Sequence, residues 1–194
     1  VAARAVSGGC AGIPAPPSAI DPGQFPPPLR QPRGTFVTIR RQGHLRGCRG
    51  SIAAKEPLVV NVARSARSAA FSDERFPPVT AVELFELAIH ISILNEPESL
   101  PVADEAELLA SLRPGHDGLI LTAGTHQGLF LPAVWDKLPE PRDFLEHLKQ
   151  KAGLDTDFWS GDVQVQRFTV EECHGDVAAL LGGENTADAV PGDA

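Results

Sequence analysis

No uninterrupted apolar run in this chain approaches the roughly 20 residues that a membrane-spanning helix needs, and the N-terminus lacks a charged start followed by an apolar core. These absences lead us to expect a soluble, unexported protein with no membrane contact. Tyrosine is missing altogether, and the three cysteines, Cys10, Cys48 and Cys173, are too few and too scattered for a disulfide framework. An odd count leaves at least one thiol free, which fits a reducing cytoplasm. There is no C-x-x-C pair, no H-E-x-x-H, no Walker loop and no G-x-G-x-x-G after a strand, and Cys173-His174 stands alone. The usual zinc, iron-sulfur and nucleotide sites therefore lack their ligands, and the expectation is a protein with no metal and no cofactor.

What is present is globular material. A chain of 194 residues, 42% hydrophobic and 22% charged, can fill one sizeable core with at most a small appended lobe. The net charge of −8 is unevenly spread. Glu171, Glu172, Asp176, Glu184, Asp188 and Asp193 follow residue 170 with no Lys or Arg among them. Arg30, Arg33, Arg40, Arg41, Arg46 and Arg49 occupy a stretch with no acid at all.

Prolines 14, 16, 17, 22, 26, 27, 28 and 32 are dense enough to exclude helix there and favour extended backbone, so residues 1–33 read as a Pro-rich strap. Residues 34–180 carry the folding signals. Residues 181–194 turn to Gly, Ala, Asp and Glu and read as a disordered acidic tail.

Thr35 to Ile39 is β-branched and aromatic, Gln42-Gly43 marks a turn, and His44-Leu45-Arg46 resumes the strand, which makes a hairpin. Pro57 opens a helix to about residue 71, with Leu58, Val59, Val62, Ala63, Ala66, Ala69 and Ala70 at helical spacing. Thr80 and Glu83 have the form of a capping box for a short helix. From Leu87 to Ile93 the period switches to two, with His90 opposite the isoleucine face. A helix is expected over Asp104 to Leu112, then a turn at 114–118. Next comes a hairpin from Leu119 with its turn at Gly124 to Gly128, a helix from Pro141 closed by Gly153, and a last strand from Val163 to Phe168. Short strands and helices without regular alternation define an α+β fold with a largely antiparallel sheet and flanking helices.

The hexapeptide Leu45-Arg46-Gly47-Cys48-Arg49-Gly50, preceded by Gly34-Thr35-Phe36-Val37-Thr38-Ile39, resembles the signature hairpin of the AMMECR family, also called protein A of the AmmeMemoRadiSam system. Further blocks resemble the family in its own order: Asn61-Val62-Ala63, Asp73-Glu74-Arg75-Phe76-Pro77-Pro78-Val79, His116-Asp117-Gly118-Leu119, Phe130-Leu131-Pro132-Ala133-Val134-Trp135 and Lys151-Ala152-Gly153-Leu154. Arg49 departs from the apolar residue, commonly Ile, that the family usually has there. The resemblance implies two unequal lobes around a groove near the signature hairpin, and association with a Memo-type protein and a radical SAM protein. It implies no agreed enzymatic activity.

Within the motif, Cys48 is the candidate for chemistry. Gly47 and Gly50 would let backbone N–H groups approach a ligand, and Arg46 or Arg49 could stabilise a thiolate or bind an anion. In an unbroken strand Arg46 and Cys48 share one face while Gly47 and Arg49 share the other, so both arginines could serve Cys48 only across a bulge. The alternative is that Cys48 is a small buried hydrophobe and the glycines shape a tight connection. Asp73 and Arg75 either lock the loop after the helix or lend Arg75 to the same anion, with Asn61 assisting. His44 and His90 are bases only if the fold brings them to Cys48, and His116-Asp117 reads as turn chemistry.

Three readings follow. The first is an accessory or binding protein whose Leu45–Gly50 region takes a partner or a small anionic ligand through Arg46, Gly47, Cys48, Arg49, Gly50, Asn61, Asp73 and Arg75. The second is an enzyme using Cys48 as an activated thiol. The third is a nucleic-acid-binding protein using the arginines of residues 30–49, against which the acidic tail and the lack of an aromatic stacking platform both count.

Overall fold

The computed structural model describes residues 1–12 and 20–182. The chain divides into two compact units, one formed by residues 1–93 with the chain from residue 172, the other by residues 94–171. Each has a core of its own, so the expected single core is replaced by two, in keeping with the unequal lobes the resemblance implies.

In the first unit α1 (Ala2–Cys10) is followed by a one-turn helix, α2 (Pro27–Arg30), and the hairpin of β1 (Thr35–Arg41) and β2 (His44–Ser51). Then come α3 (Leu58–Phe71), a 3-10 turn (Ala81–Glu86) and β3 (Leu87–Leu94); after the second unit the chain returns through β8 (Val170–Asp176) and α6 (Val177–Gly182). The hairpin turns at Gln42 and Gly43, both at positive φ, the paired left-handed conformation that a two-residue turn needs. The sheet order is β2-β1-β3-β8, which leaves β2 at an edge. Val37, Ile39, Leu87 and Ile89 turn inward onto α3, while α1 packs on α3 and α6 on both α1 and the 3-10 turn. Thr38, Arg40, His90 and Ser92 occupy the opposite, outward face.

Two expectations fail in this unit. Proline density does not exclude helix from the Pro-rich stretch that begins at Pro14, because Pro27 and Pro28 open α2, where their missing N–H groups would have no partner anyway. The last strand is β8, not the one ending at Phe168: Glu171-Glu172-Cys173-His174 lacks an apolar alternation because the side chains of this strand are mostly solvent-exposed. Residues 181 and 182, assigned to the acidic tail, belong to α6, and the rest of that tail lies outside the described residues, as do residues 13–19 of the strap.

The second unit has the sheet order β4 (Glu98–Ser99), β7 (Gln164–Phe168), β5 (Gly118–Ala123), β6 (His126–Phe130), flanked by α4 (Glu105–Ser111) and α5 (Pro141–Ala152). All of its pairs are antiparallel. Phe144, Leu145, Leu148 and Ala152 form the buried face of α5, and the Phe144 ring stacks on Trp135 at 3.8 Å. The β5–β6 turn is shorter than expected, since Ala123 pairs with His126. Gly128 serves packing instead of turning: a Cβ there would stand 2.8 Å from the Leu148 carbonyl of α5. Asp117 is buried and accepts hydrogen bonds from the Arg113 backbone N–H and guanidinium, which is the turn role expected for it. No helix among the described residues is long and apolar enough to cross a membrane.

Candidate functional site

The signature strand β2 is bulged. Ile39 pairs with Gly47 but Arg40 pairs with Leu45, so Arg46 is the extra, unpaired residue. Gly47 makes this possible, because a Cβ at that position would lie 2.0 Å from the Ala69 carbonyl of α3. The bulge redirects Arg46 away from the Cys48 thiol. Its Nε donates to Glu83 Oε1 at 2.8 Å, one terminal nitrogen donates to the Pro77 carbonyl at 2.8 Å, and the other reaches Glu83 Oε2 at 3.2 Å and the Pro78 carbonyl at 3.3 Å. Glu83 also completes the capping box with the Thr80 N–H and hydroxyl, at 2.8 and 2.9 Å. Hydrogen bonding from Arg46, together with the two bonds from Thr80, outweighs burial and holds the Glu83 carboxyl down at about 2.

Cys48 is half-buried. Its thiol receives a hydrogen bond from the Thr38 hydroxyl at 3.4 Å. Its backbone N–H, which points off the free edge of the sheet, donates to Asp73 Oδ2 at 2.8 Å. Arg75 forks onto the same carboxylate, Nε to Oδ1 at 2.9 Å and a terminal nitrogen to Oδ2 at 2.7 Å. The Arg75 fork, ahead of the backbone bonds from Cys48 and Arg75, places the Asp73 carboxyl far below the usual range. Asp73 thereby closes an edge strand that would otherwise offer open hydrogen-bonding groups. Arg49 donates to the Ser72 carbonyl at 2.7 Å, at the start of the same loop.

Of the residues singled out in the sequence, Arg46, Cys48, Arg49, Asp73 and Arg75 are brought together around the segment from Ser72 to Glu83. Gly47 and Gly50 supply close contacts with Ala69 and with Thr35-Phe36. Asn61 is turned elsewhere: its amide donates to the Arg33 carbonyl at 2.8 Å and its oxygen accepts from Ser65. His44 engages the Gln42 carbonyl. His90 is level with Thr38 across the sheet, one strand beyond the Cys48 partner, and its ring stacks on His174. Sequence reasoning missed Glu83 as the partner of Arg46, Thr38 as the partner of the thiol, and His174. Only Glu83 had left a signal, as the last member of a capping box.

The arginines of the basic stretch all have intramolecular partners. Arg30 donates to the carbonyls of Gly23 and Phe25, Arg40 to Gly43, Arg41 to Glu86, and Arg33 is likewise engaged.

The AMMECR1 family matches this chain over residues 8–173. A protein of Methanothermobacter thermautotrophicus is 39% identical over 161 residues, covering 80% of this chain and 82% of the relative. A protein of Thermococcus onnurineus is 40% identical over 157 residues, covering 75% and 74%. The crystal structure of an uncharacterized protein from Pyrococcus horikoshii superposes with a TM-score of 0.81 at 33% identity, over 90% of this chain and 88% of that one. An antiparallel α+β protein with the bulged Leu45–Gly50 hairpin and these relatives belongs to the AMMECR1 family.

Proposed function

We propose that this chain is a binding and accessory protein of the cytoplasm that offers a partner protein the face formed by β2 and the 3-10 turn Ala81–Glu86. The observation that carries this reading is the exposure of Val82 and Phe85, at 81% and 82%, on either side of the buried Glu83. Residues three apart in a 3-10 helix eclipse one another, so the two apolar side chains stand on one side of the turn. Leu84 packs into the core and α6 backs the turn. Arg46 then has a structural purpose: from the signature strand it clamps Glu83 and the two proline carbonyls, and so presents Val82 and Phe85 rigidly. An aromatic anchor held in advance loses little entropy when a partner covers it.

The engagement of Arg46 with Glu83, and of Arg75 with Asp73, favours this reading over a small anionic ligand or an activated Cys48, because both guanidinium forks are already filled. The AMMECR resemblance makes a Memo-type protein and a radical SAM protein the first partners to try. Each would be purified and titrated against the immobilised chain and a Val82→Ser/Phe85→Ser variant. Saturable binding to one of them, at least tenfold weaker for the variant at an unchanged circular dichroism spectrum, is expected. Binding that ignores the double substitution would remove this face from consideration, and no binding to either protein would sink the reading.

A further inference from the structure

The second unit contains a cavity of about 260 Å³ that shares no residue with the face carrying Val82 and Phe85. Asn95, Glu96, Glu98, Arg113, Arg167 and Thr169 line it, all from the unit formed by residues 94–171. Glu98 on β4 and Arg167 on β7 are directly opposed in the antiparallel register, so their side chains leave the sheet on the same face. Arg113 reaches the cavity from the turn after α4. Asn95 is tied to Thr169 by two hydrogen bonds, its N–H to the carbonyl at 2.9 Å and its side-chain amide to the hydroxyl at 2.6 Å, which fixes another wall.

Opposite charges that face each other across neighbouring strands ordinarily close on one another. Here they stand apart: Arg167 is half-buried, and neither it nor Glu96 nor Glu98 has an ion pair or side-chain hydrogen bond among the described residues. Arg113 directs its Nε and one terminal nitrogen to Asp117, which leaves the other terminal nitrogen without a partner among those residues. The Thr169 hydroxyl accepts from Asn95, so its own hydrogen is left to donate. Two guanidinium groups and two carboxylates thus border one small cavity with no bond made across it by those charges.

We propose that this cavity binds a free α-amino acid with a small polar side chain, its carboxylate on Arg167 and Thr169 and its ammonium on Glu98. The charges decide between ligand classes. A lone anion such as phosphate would meet Glu96 and Glu98, and a lone cation would meet both arginines, whereas a zwitterion complements each sign. The two charged groups of an α-amino acid hang on one carbon, which suits a carboxylate and a guanidinium on opposed residues whose Cβ atoms stand about 4.5–5.5 Å apart. A guanidinium fork matches a carboxylate with two parallel bonds, and the Thr169 hydroxyl adds a third donor. Size and polarity set the side chain: the cavity lies below the roughly 300–1,000 Å³ of pockets for drug-sized ligands, and Asn95, Glu96 and Arg113 make the remaining wall polar.

The test is calorimetric titration of the full chain with L-serine, L-threonine and L-asparagine in turn, each to about 10 mM, an excess over a millimolar dissociation constant. At least one of them is expected to bind saturably with one equivalent, at least tenfold more weakly in Arg167→Gln and in Glu98→Gln, and unchanged in the control Arg142→Gln, an exposed position of α5. The N-acetyl derivative of that amino acid, which lacks the ammonium, and its carboxamide, which lacks the carboxylate, should each bind at least tenfold more weakly than the parent. Neither Arg167 nor Glu98 is buried, and melting curves of the variants verify the fold. No saturable binding of any of the three, unchanged affinity in either variant, or a derivative that binds as tightly as its parent would overturn the proposal.

Discussion

Arg46 and Glu83, 37 residues apart in the chain, form an ion pair whose side chains are only 11% and 8% exposed, with Nε and Oε1 at 2.8 Å. The pair joins the edge strand of the first sheet to the 3-10 turn that follows the Asp73–Val79 loop, so the signature motif anchors a segment distant in sequence.

Removing one member should be costly, because the other is left buried and charged. Arg46→Ala is expected to destabilise the chain by about 3 kcal/mol, read as a shift of the urea midpoint, and to weaken binding through the turn that carries Val82 and Phe85. A loss below about 0.5 kcal/mol, the range of ordinary surface changes, would mean that the pair is not a clamp.

Two carboxylates should make the chain sensitive to acid. Glu83, held at about 2 by Arg46 and Thr80, and Asp73, held lower still by Arg75, both have folded values beneath the ordinary carboxylate range. The unfolded chain therefore binds protons first. Their contribution is fully present above about pH 5 and is lost as the pH falls toward 2. Urea midpoints measured from pH 6 to 2.5 should decline over this window, and Glu83→Gln should flatten the curve.

His90 adds a step at higher pH. Its folded value is depressed by burial first, then by Arg40 and His174, so its contribution is present above the unfolded value near 6.5 and is lost as the pH falls through the folded one. Thermal midpoints of the chain between pH 8 and 5 should fall, and less steeply for His90→Gln. Identical slopes would show that the histidine pair does not strain the folded state.

Gly47 is required for close approach. A methyl group there would meet the Ala69 carbonyl at 2.0 Å, and the obstacle is backbone of α3. Gly47→Ala is expected to cost about 2 kcal/mol or more in the same urea assay. Gly43→Ala, where only the positive φ resists and no atom is in the way, should cost less.

Local periodicity made much of the fold legible in advance. The turn at Gln42-Gly43, the Thr80 capping box, the Leu87–Ile93 alternation and the Gly153 cap all report interactions among near neighbours, and each is present, while Pro57 stands one residue earlier than expected, as the extended N-cap of α3. The reading weakened wherever the determining contact was remote. Gly128 read as a turn residue because nothing local announces that α5 presses on it. β8 went unseen because its exposed residues have no apolar alternation to report.

The amino-acid sequence alone determined the helix and strand periods, the family blocks and the concentration of chemistry-bearing residues between Leu45 and Arg75, since these depend on spacing along the chain. Tertiary structure decided what those residues do. Side-chain direction in a bulged edge strand follows from the pairing of β1 with β2 and the pressure of α3, which together send Arg46 to Glu83 and leave Cys48 to Thr38 and Asp73. His90 acquired His174 in the same way, through pairing of strands far apart in the chain, because such contacts depend on three-dimensional register and leave no local trace.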